Sequence, residues 1–582
     1  MLVMFDKHKN HLTEDVSIRN IIVVDCKSSG INYIGDIVNR GYNPVVLELK
    51  WANEDVEEYQ AILKRGYDSI DDEFDMIFER DTYEETLEAV KKYDPKLIVP
   101  GNEHGVILAT RLANDLNLLC NPIENLDAMT FKDKMQERIA EAGLRHIRGK
   151  AVKSVEEAID FYDSEGLAEV VLKPTYSAGS AGVKMCNNRS EMINALEEVF
   201  GTLNYYGENI TEIVVQERIR GTEYYVNTAS CDGVHMVSLI WKYKKVETLE
   251  GDIIYDTVET VNELGIGESE MVEYAYDVAD ALGIRYGPVH GEYMIDENGP
   301  VLIEVNCRPS GASMPAKYLD RIAGHHETHL FLDSYLKPKR FHEKRKNRYR
   351  LLAHGALKLF IVPKDIIARS TPMNNISPRL KSFFGSTLVD IGDTEIFYPK
   401  THDLDTSCGF VYLVHEDLDV LQKDIEFLRR VEMDAFSLVL SNEELEYEPI
   451  DDEKIARDIK KIVKAIEDYG TGLLITDQFI DDAEIIQTGI KDIDRLNGEF
   501  DYVIINLNKS MIGHTDDISV DIILSILSNI RVGGLVCVPK TTYEYFPSKR
   551  KGIEALIKTL NLRIEVPPHG LDVGIVASRE SF

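Results

Sequence analysis

Residues 287–311, GPVHGEYMIDENGPVLIEVNCRPSG, read as two strands joined by a turn. Tyr293-Met294-Ile295 and Val301-Leu302-Ile303 are apolar arms, and Asp296-Glu297-Asn298-Gly299 between them has turn chemistry. Side chains alternate faces along a strand, so Glu304 and Asn306 point the same way, and Glu292 on the neighbouring arm reaches that face. Three oxygen ligands then converge, with Arg308 two residues further on. Such donors suit Mg²⁺ (or Mn²⁺), which binds through few carboxylates plus substrate phosphates. A cation beside an arginine suits a transferring phosphoryl group. A solvated hairpin edge explains any one of these carboxylates by itself. The ordered set Glu-x(11)-Glu-x-Asn-x-Arg, with apolar neighbours filling the other face, favours a metal site. Cys307 has the parity that points away from it.

Upstream, residues 21–25 are a buried-type strand, followed by Lys27-Ser28-Ser29-Gly30, a helix over 33–40 and a strand over 44–49. This βαβ opening predicts a parallel sheet. A helix over 83–93 feeds a strand at 97–99, and Gly101-Asn102-Glu103-His104-Gly105 follows at once. Ligands sit beyond the carboxyl ends of parallel strands, so Glu103 or His104 touches substrate; alternatively Glu103 is an acid stabilised at a helix N-terminus. No GxGxxG is present, so no dinucleotide is implied. Lys132-Asp133-Lys134 precedes a helix over 135–142. A helix over 155–162 and a strand over 169–172 lead into Lys173 and the small-residue loop 174–183, whose glycines and serines let backbone N–H groups approach phosphate oxygens. The loop lacks GxxxxGK[ST], and a plain hairpin is its other reading. Strands at 213–219 and 221–227 place Glu217 and Glu223 for adenine-side groups or ribose hydroxyls. Lys242, Lys244 and Lys245 lie over phosphates or on a solvated strand edge, the latter preferred for Lys244 and Lys245.

At 582 residues the chain exceeds one core, so three or four domains are expected. A net charge of −35 disfavours non-specific binding to nucleic acid or anionic membranes. No apolar run is long enough to span a membrane, and the first twenty residues lack a signal-peptide core. Seven scattered cysteines without CxxC spacing predict reduced core thiols in a cytoplasmic protein.

Taken in order, Lys134, Lys173-Pro174 with its Gly-rich loop, Gln216-Glu217 before Gly221-Thr222-Glu223, and Glu292 with Glu304-Val305-Asn306-Cys307-Arg308 resemble an ATP-grasp enzyme. More narrowly the chain is similar to the L-amino-acid ligases, which include dipeptide-forming and carnosine-synthase-like members. Val24-Asp25 with Ser28-Ser29-Gly30, residues 100–105 and residues 287–292 carry that likeness, as do Ile361-Val362-Pro363, Leu380-Lys381-Ser382-Phe383 and residues 409–414. It covers roughly residues 20–440. The resemblance implies an α/β and α+β multidomain fold: a pre-ATP-grasp parallel-sheet domain over 1–125, an ATP-grasp domain of A and B lobes over 126–338, and a C-terminal lobe over 339–448. By the same resemblance, Lys134 and Lys173 hold ATP phosphates under a loop including Ser177, Gly179, Ser180 and Gly182. Gln216, Glu217 and Ile219 sit at the adenine and Glu223 at the ribose. Glu292, Glu304 and Asn306 coordinate Mg²⁺. Arg308, Ser310 and Gly311 hold the transferred phosphate, and His290 and Glu103 lie near the acyl substrate. Pro309 departs from a phosphate turn by lacking an N–H donor. The implied activity is ADP-forming ligation of a small-molecule carboxylate to an amine through an acyl phosphate, with Arg308, His290 and Glu292 catalytic. A carboxylase-type use of bicarbonate is the alternative.

Residues 337–350, KPKRFHEKRKNRYR, read as a solvated basic crossing between lobes. Residues 449–582 are extra to the ligase pattern. A helix over 454–469 and strands at 472–476, 501–507, 533–538 and 573–578 predict a Rossmann-like α/β domain. Residues 500–504 and 531–536 resemble the later half of a class I methyltransferase. Gly470-Thr471-Gly472 precedes its strand, where a cofactor loop follows one. A degenerate, structural or homodimer-forming domain is therefore favoured over methyl transfer.

Overall fold

The computed structural model describes residues 19–50, 74–174, 183–202, 209–247, 253–368, 377–387, 396–402, 404, 406–438, 459–464, 472–475, 485–488, 500–505, 530–539, 562–564 and 573–579. The chain divides into two compact units, Met1–Lys242 with Val261–Leu351, and Tyr243–Thr260 with Leu352–Phe582.

The first unit opens with β1 (Asn20–Val24), α1 (Asn32–Val38), β2 (Asn43–Glu48), β3 (Asp75–Phe78), α2 (Tyr83–Lys91), β4 (Pro95–Pro100) and α3 (Gly105–Asp115). The strands form a parallel sheet in the order β3-β2-β1-β4. β1 is apolar on both faces because both are covered. Ile21 and Val23 pack with Ile34 and Ile37 of α1, and Ile22 and Val24 pack with Leu108 and Leu112 of α3.

α4 (Leu126–Thr130) and α5 (Lys132–Glu141) follow. Lys132, Asp133 and Lys134 do not precede this helix; they are its first turn, after an extended Phe131. Lysine is a good helix former and Asp133 suits the positive N-terminal end. β5 (Gly149–Val152), α6 (Val155–Glu165), β6 (Val170–Pro174), β7 (Lys184–Cys186), α7 (Arg189–Val199) and β8 (Ile213–Glu217) build an antiparallel sheet ordered β5-β8-β6-β7. Ala158 of α6 and Met192 and Leu196 of α7 pack against its apolar side.

Next come β9 (Thr222–Cys231), β10 (Val234–Glu247), β11 (Ile253–Thr260), α8 (Ile266–Ala281), β12 (Tyr286–Asp296) and β13 (Gly299–Asn306). In the first unit β13, β12, β9 and β10 are antiparallel neighbours in that order. Met135 and Ile139 of α5 and Met271, Ala275 and Val278 of α8 fill one face of this sheet. Gln136 stitches α5 to the hairpin: its Nε2 donates to Leu302 O at 2.9 Å, and its Oε1 accepts Ile147 N–H at 2.9 Å.

α9 (Ala316–Ala323), α10 (Glu327–Leu336) and α11 (Pro338–Arg345) complete the unit. Residues 338–345 are therefore a docked helix and not a solvated crossing. Phe341 is fully buried with Ile21, Cys231 and Leu330. Lys344 lies 3.2 Å from Asp333, and Arg345 Nε donates to His235 O at 2.7 Å. One aromatic anchor and basic residues in the last turn, where the helix dipole favours them, outweigh the high charge of the segment.

In the second unit β11 joins β14 (His354–Leu359), β18 (Phe410–His415) and β16 (Phe383–Ser386) in an antiparallel sheet, with β15 (Ile366–Ala368) and β17 (Ile396–Tyr398) as a separate pair. α12 (Leu418–Leu438) follows. Lys358 is fully buried, 3.0 Å from Asp256 and 2.7 Å from Glu432. Burial raises the Glu432 carboxyl to about 7 against the pull of Lys358. Lys358→Met leaves Glu432 without its cation and Asp256 with Arg429 alone, and is expected to cost about 3–5 kcal/mol in urea unfolding near pH 8. The folded-state pKa of Glu432 lies above its unfolded value. Without Lys358 the folded state holds this proton still more tightly than the wild type does, so the deficit shrinks as pH falls toward 7 and levels off below it, where both proteins gain equally from protonation. A deficit independent of pH would contradict this.

The tail contains β19 (Gly472–Ile475), β20 (Ile486–Thr488), β21 (Phe500–Ile505), β22 (Ile530–Pro539), β23 (Leu562–Ile564) and β24 (Val573–Arg579). Their order is β20-β19-β21-β22-β24-β23, parallel from β20 through β22 and antiparallel at β24. Residues 459–464 are helical. Among the described residues no helix is long and apolar enough to cross a membrane.

Candidate active site

The register of β12 and β13 sets Glu292 directly across from Glu304 and His290 across from Asn306. On β9, Tyr225 lies opposite Glu292, Asn227 opposite His290 and Glu223 opposite Met294. One face of three strands thus carries Glu223, Tyr225, Asn227, His290, Glu292, Glu304 and Asn306. Tyr224, Val226, Leu302, Val305 and Cys307 enter the core on the other. The ladder slips by one residue after Glu292, with Ile303 the extra residue. Such bulges re-aim side chains next to functional sites.

Like charges directly opposite one another destabilise a sheet unless cations offset them. Lys132 Nζ lies 3.0 Å from Glu304. Lys173, at the end of β6, feels Glu304, Glu292 and Glu223. Burial would lower both lysines. For Lys132 the fields of Glu304, Glu103 and Glu292 win and hold it above the usual lysine value; for Lys173 burial wins and it lies below. Asn306 Nδ2 donates to Glu304 Oε1 at 3.4 Å, which leaves the amide oxygen for a cation. Two carboxylates and a carbonyl oxygen on one face fit Mg²⁺.

Arg308 Nη2 donates to Glu103 at 3.0 Å and Nη1 to Pro309 O at 3.0 Å. Arg308 Nε is buried without a hydrogen-bond partner among the described residues, a donor suited to an anion. Burial alone would raise the Glu103 carboxyl, but Arg308 and Lys132 carry it net below its ordinary value. The turn after Arg308 holds Ala312 and Ser313 at φ 64° and 44°, a left-handed conformation costly for these residues. It is clamped from the loop after β1. Ser29 Oγ donates to Gly311 O at 3.0 Å and accepts Met314 N–H at 2.9 Å, Ser28 Oγ accepts Ser313 N–H at 3.0 Å, and Asn32 Nδ2 donates to Met314 O at 2.8 Å.

A buried polar chain supports His290. Glu327 accepts Ser310 N–H at 3.1 Å and Ser310 Oγ–H at 2.9 Å, and it accepts Asn227 Nδ2 as well. A carboxylate only accepts here, so Asn227 turns its oxygen to His290 Nδ1, 2.7 Å away. His290 therefore carries a proton on Nδ1, and Nε2 faces Glu292 at 3.7 Å.

The structure brings Lys173, Glu223, Glu292, Glu304, Asn306, Arg308, Glu103 and His290 together. Lys134 is not among them: it is half exposed, with Nζ 2.9 Å from Glu137. Ser310 spends its backbone N–H on Glu327 and not on an open turn. Gln216 is buried on β8, and Ile219 is half-buried in the connection to β9. Glu217 accepts the backbone N–H of Arg148 at 2.9 Å and its guanidinium at 2.8 Å. Ser177, Gly179, Ser180 and Gly182 lie outside the described residues. His104 lies 3.4 Å from Asp25, within a buried cluster that includes Lys27 and Glu48.

Lys132, Asn227 and Glu327 escaped the sequence reading. The signal for Lys132 was available: a helix starting at 132 puts Lys132 and Gln136 on one face and turns Lys134 away. Glu327 joins the site from 100 residues beyond Asn227, and no local pattern announces it.

Residues 167–316 match an ATP-grasp domain family. The chain is similar to dapdiamide A synthase of Enterobacter agglomerans, 27% identical over 62% of this chain and 84% of the relative. It is 24% identical to the carbamoyl phosphate synthase large chain of Clostridium acetobutylicum over 55% of this chain but only 29% of that protein. The L-amino acid ligase of Bacillus licheniformis shares the fold at a TM-score of 0.54 and 17% identity, over 71% of this chain and 97% of that one.

Proposed function

We propose that this chain, which carries an ATP-grasp domain, is an ATP-dependent ligase that joins a small-molecule carboxylate to an amine and releases ADP and phosphate. The observation that carries this reading is the shared strand face of Glu292, Glu304 and Asn306 beside the buried Arg308 Nε, which has no hydrogen-bond partner among the described residues. Its similarity to dapdiamide A synthase over most of that relative supports it.

Carboxylate attack on a γ-phosphate brings two anions together, and Lys132, Lys173 and Arg308 offset that repulsion. Mg²⁺ held by Glu292, Glu304 and Asn306 would neutralise phosphate charge. The substrate carboxylate is the nucleophile, so the protein supplies none. The acyl phosphate formed is then attacked by the amine. His290, its ring oriented by Asn227 through Nδ1, presents Nε2 to accept the amine proton. Gln216, Glu217 and Ile219 would border the adenine and Glu223 the ribose.

A screen of amines against carboxylates, bicarbonate included, for phosphate release from ATP tests the reading, with products identified by mass. An amide product supports it; ATP cleavage driven by bicarbonate alone contradicts it. Lys173 adds a second test. A polyanion arriving at a lysine held below its ordinary 10.5 restores its charge. Nucleotide binding is therefore expected to take up a proton as the pH approaches the ordinary lysine value from below, seen calorimetrically in buffers of different ionisation enthalpy. Lys173→Met should abolish the uptake, and equal uptake in both proteins would contradict the assignment.

A further inference from the structure

Away from the hairpin, the segment His325-His326-Glu327-Thr328-His329 opens α10 against α1. His326 Nε2 lies 2.9 Å from Asp36 Oδ2, and His329 Nδ1 lies 3.7 Å from Asp36 Oδ1. The three donor groups lie within 4.8 Å of one another. Around a tetrahedral ion with bonds of about 2.0–2.1 Å, ligand atoms sit roughly 3.3 Å apart. The two histidine–carboxylate separations, one to each Asp36 oxygen, bracket that value.

The outer partners match as well. His326 Nδ1 is 2.8 Å from Asp320, and His329 Nε2 is 3.6 Å from Asp333. Each imidazole thus turns its remote nitrogen to its own carboxylate, the arrangement that fixes the tautomer of a metal-binding histidine. Both histidines also line a cavity of about 790 Å³, which gives an ion a way in and leaves a coordination position open. Arg40 opposes an ion at close range, 3.4 Å from Asp36 Oδ1 and 3.1 Å from Asp333, and Arg345, Arg348 and Arg350 on the cavity wall add to it. Lys344 and Arg340 also lean on Asp333. Asp36 Oδ2, which also accepts Thr328 Oγ1–H at 2.7 Å, is turned away from Arg40 toward His326.

We propose that Asp36, His326 and His329 bind a divalent transition-metal ion of the zinc class, with Asp320 and Asp333 orienting the two imidazoles. Two imidazoles and one carboxylate select such an ion over Mg²⁺. The ion fastens α1 to α10 across 290 residues of sequence and is separate from the nucleotide face.

The test uses the full chain, stripped with chelator and without nucleotide, titrated with Zn²⁺ against a chromophoric competitor and with Co²⁺ for its visible spectrum. One tight equivalent and a histidine-type cobalt spectrum are expected. His329→Gln should weaken binding more than a hundredfold, and Asp320→Asn, at a half-exposed side chain, by about 10–100-fold. Glu304→Gln should leave it unchanged. No zinc uptake by the wild-type chain would overturn the proposal, as would unaltered affinity in a folded His329→Gln chain.

Discussion

Arg308→Ala is expected to lower ATP turnover by about a hundred- to a thousandfold, the loss typical of removing one preorganised donor to a developing oxyanion. The expectation follows from how the side chain is held. One guanidinium nitrogen is spent on Glu103 and one on the backbone of Pro309, which fixes the plane, while Nε is buried with no hydrogen-bond partner among the described residues. Removing the side chain also strips Glu103 of the foremost of the cations that keep its carboxyl below the usual range, so a folding check by thermal melt accompanies the assay. Arg308→Lys separates the contributions. It restores charge near Glu103 but not the planar fork, so stability should recover more than turnover. Undiminished phosphate release by Arg308→Ala would remove the residue from the phosphoryl site.

Glu304→Gln should cost a comparable factor, but in a different way. Glu304 faces Glu292 across the ladder, accepts Asn306 Nδ2 and lies 3.0 Å from Lys132. Neutralising it weakens the oxygen set for Mg²⁺ and leaves Lys132 without its nearest acid. Turnover should fall by about a hundredfold or more at low Mg²⁺, and the Mg²⁺ concentration for half-maximal rate should rise. Partial rescue by excess Mg²⁺ distinguishes a ligand from a purely structural side chain, whose loss added ion would not repair. An unchanged Mg²⁺ dependence would contradict the assignment.

The hairpin was legible because strand parity is a strict local rule. Glu292, Glu304 and Asn306 share a face, and Cys307 lies on the other, as alternation requires. The opening βαβ unit was legible for a similar reason, since an uninterrupted apolar β1 belongs to a sheet covered on both sides. α5 starts a few residues earlier than the sequence pattern suggests, and on a helix two positions turn a side chain through about 200°, so Lys132 lies beside Glu304 and Lys134 beside Glu137. The basic segment 337–350 was misjudged because its charge count hid one buried aromatic, Phe341. The Ser310–Glu327–Asn227–His290 chain was illegible in principle. Its members meet only through tertiary packing, and each looks ordinary in its own stretch of sequence.

The central claim is that this strand face energises an organic acid by transferring phosphate to it. Labelling the carboxylate substrate with ¹⁸O tests that transfer directly. Each phosphate released in the ligation should carry one substrate-derived ¹⁸O atom, because the acyl phosphate breaks at its carbon–oxygen bond when the amine attacks. Phosphate free of label, with amide still formed, would mean that the acid is never phosphorylated.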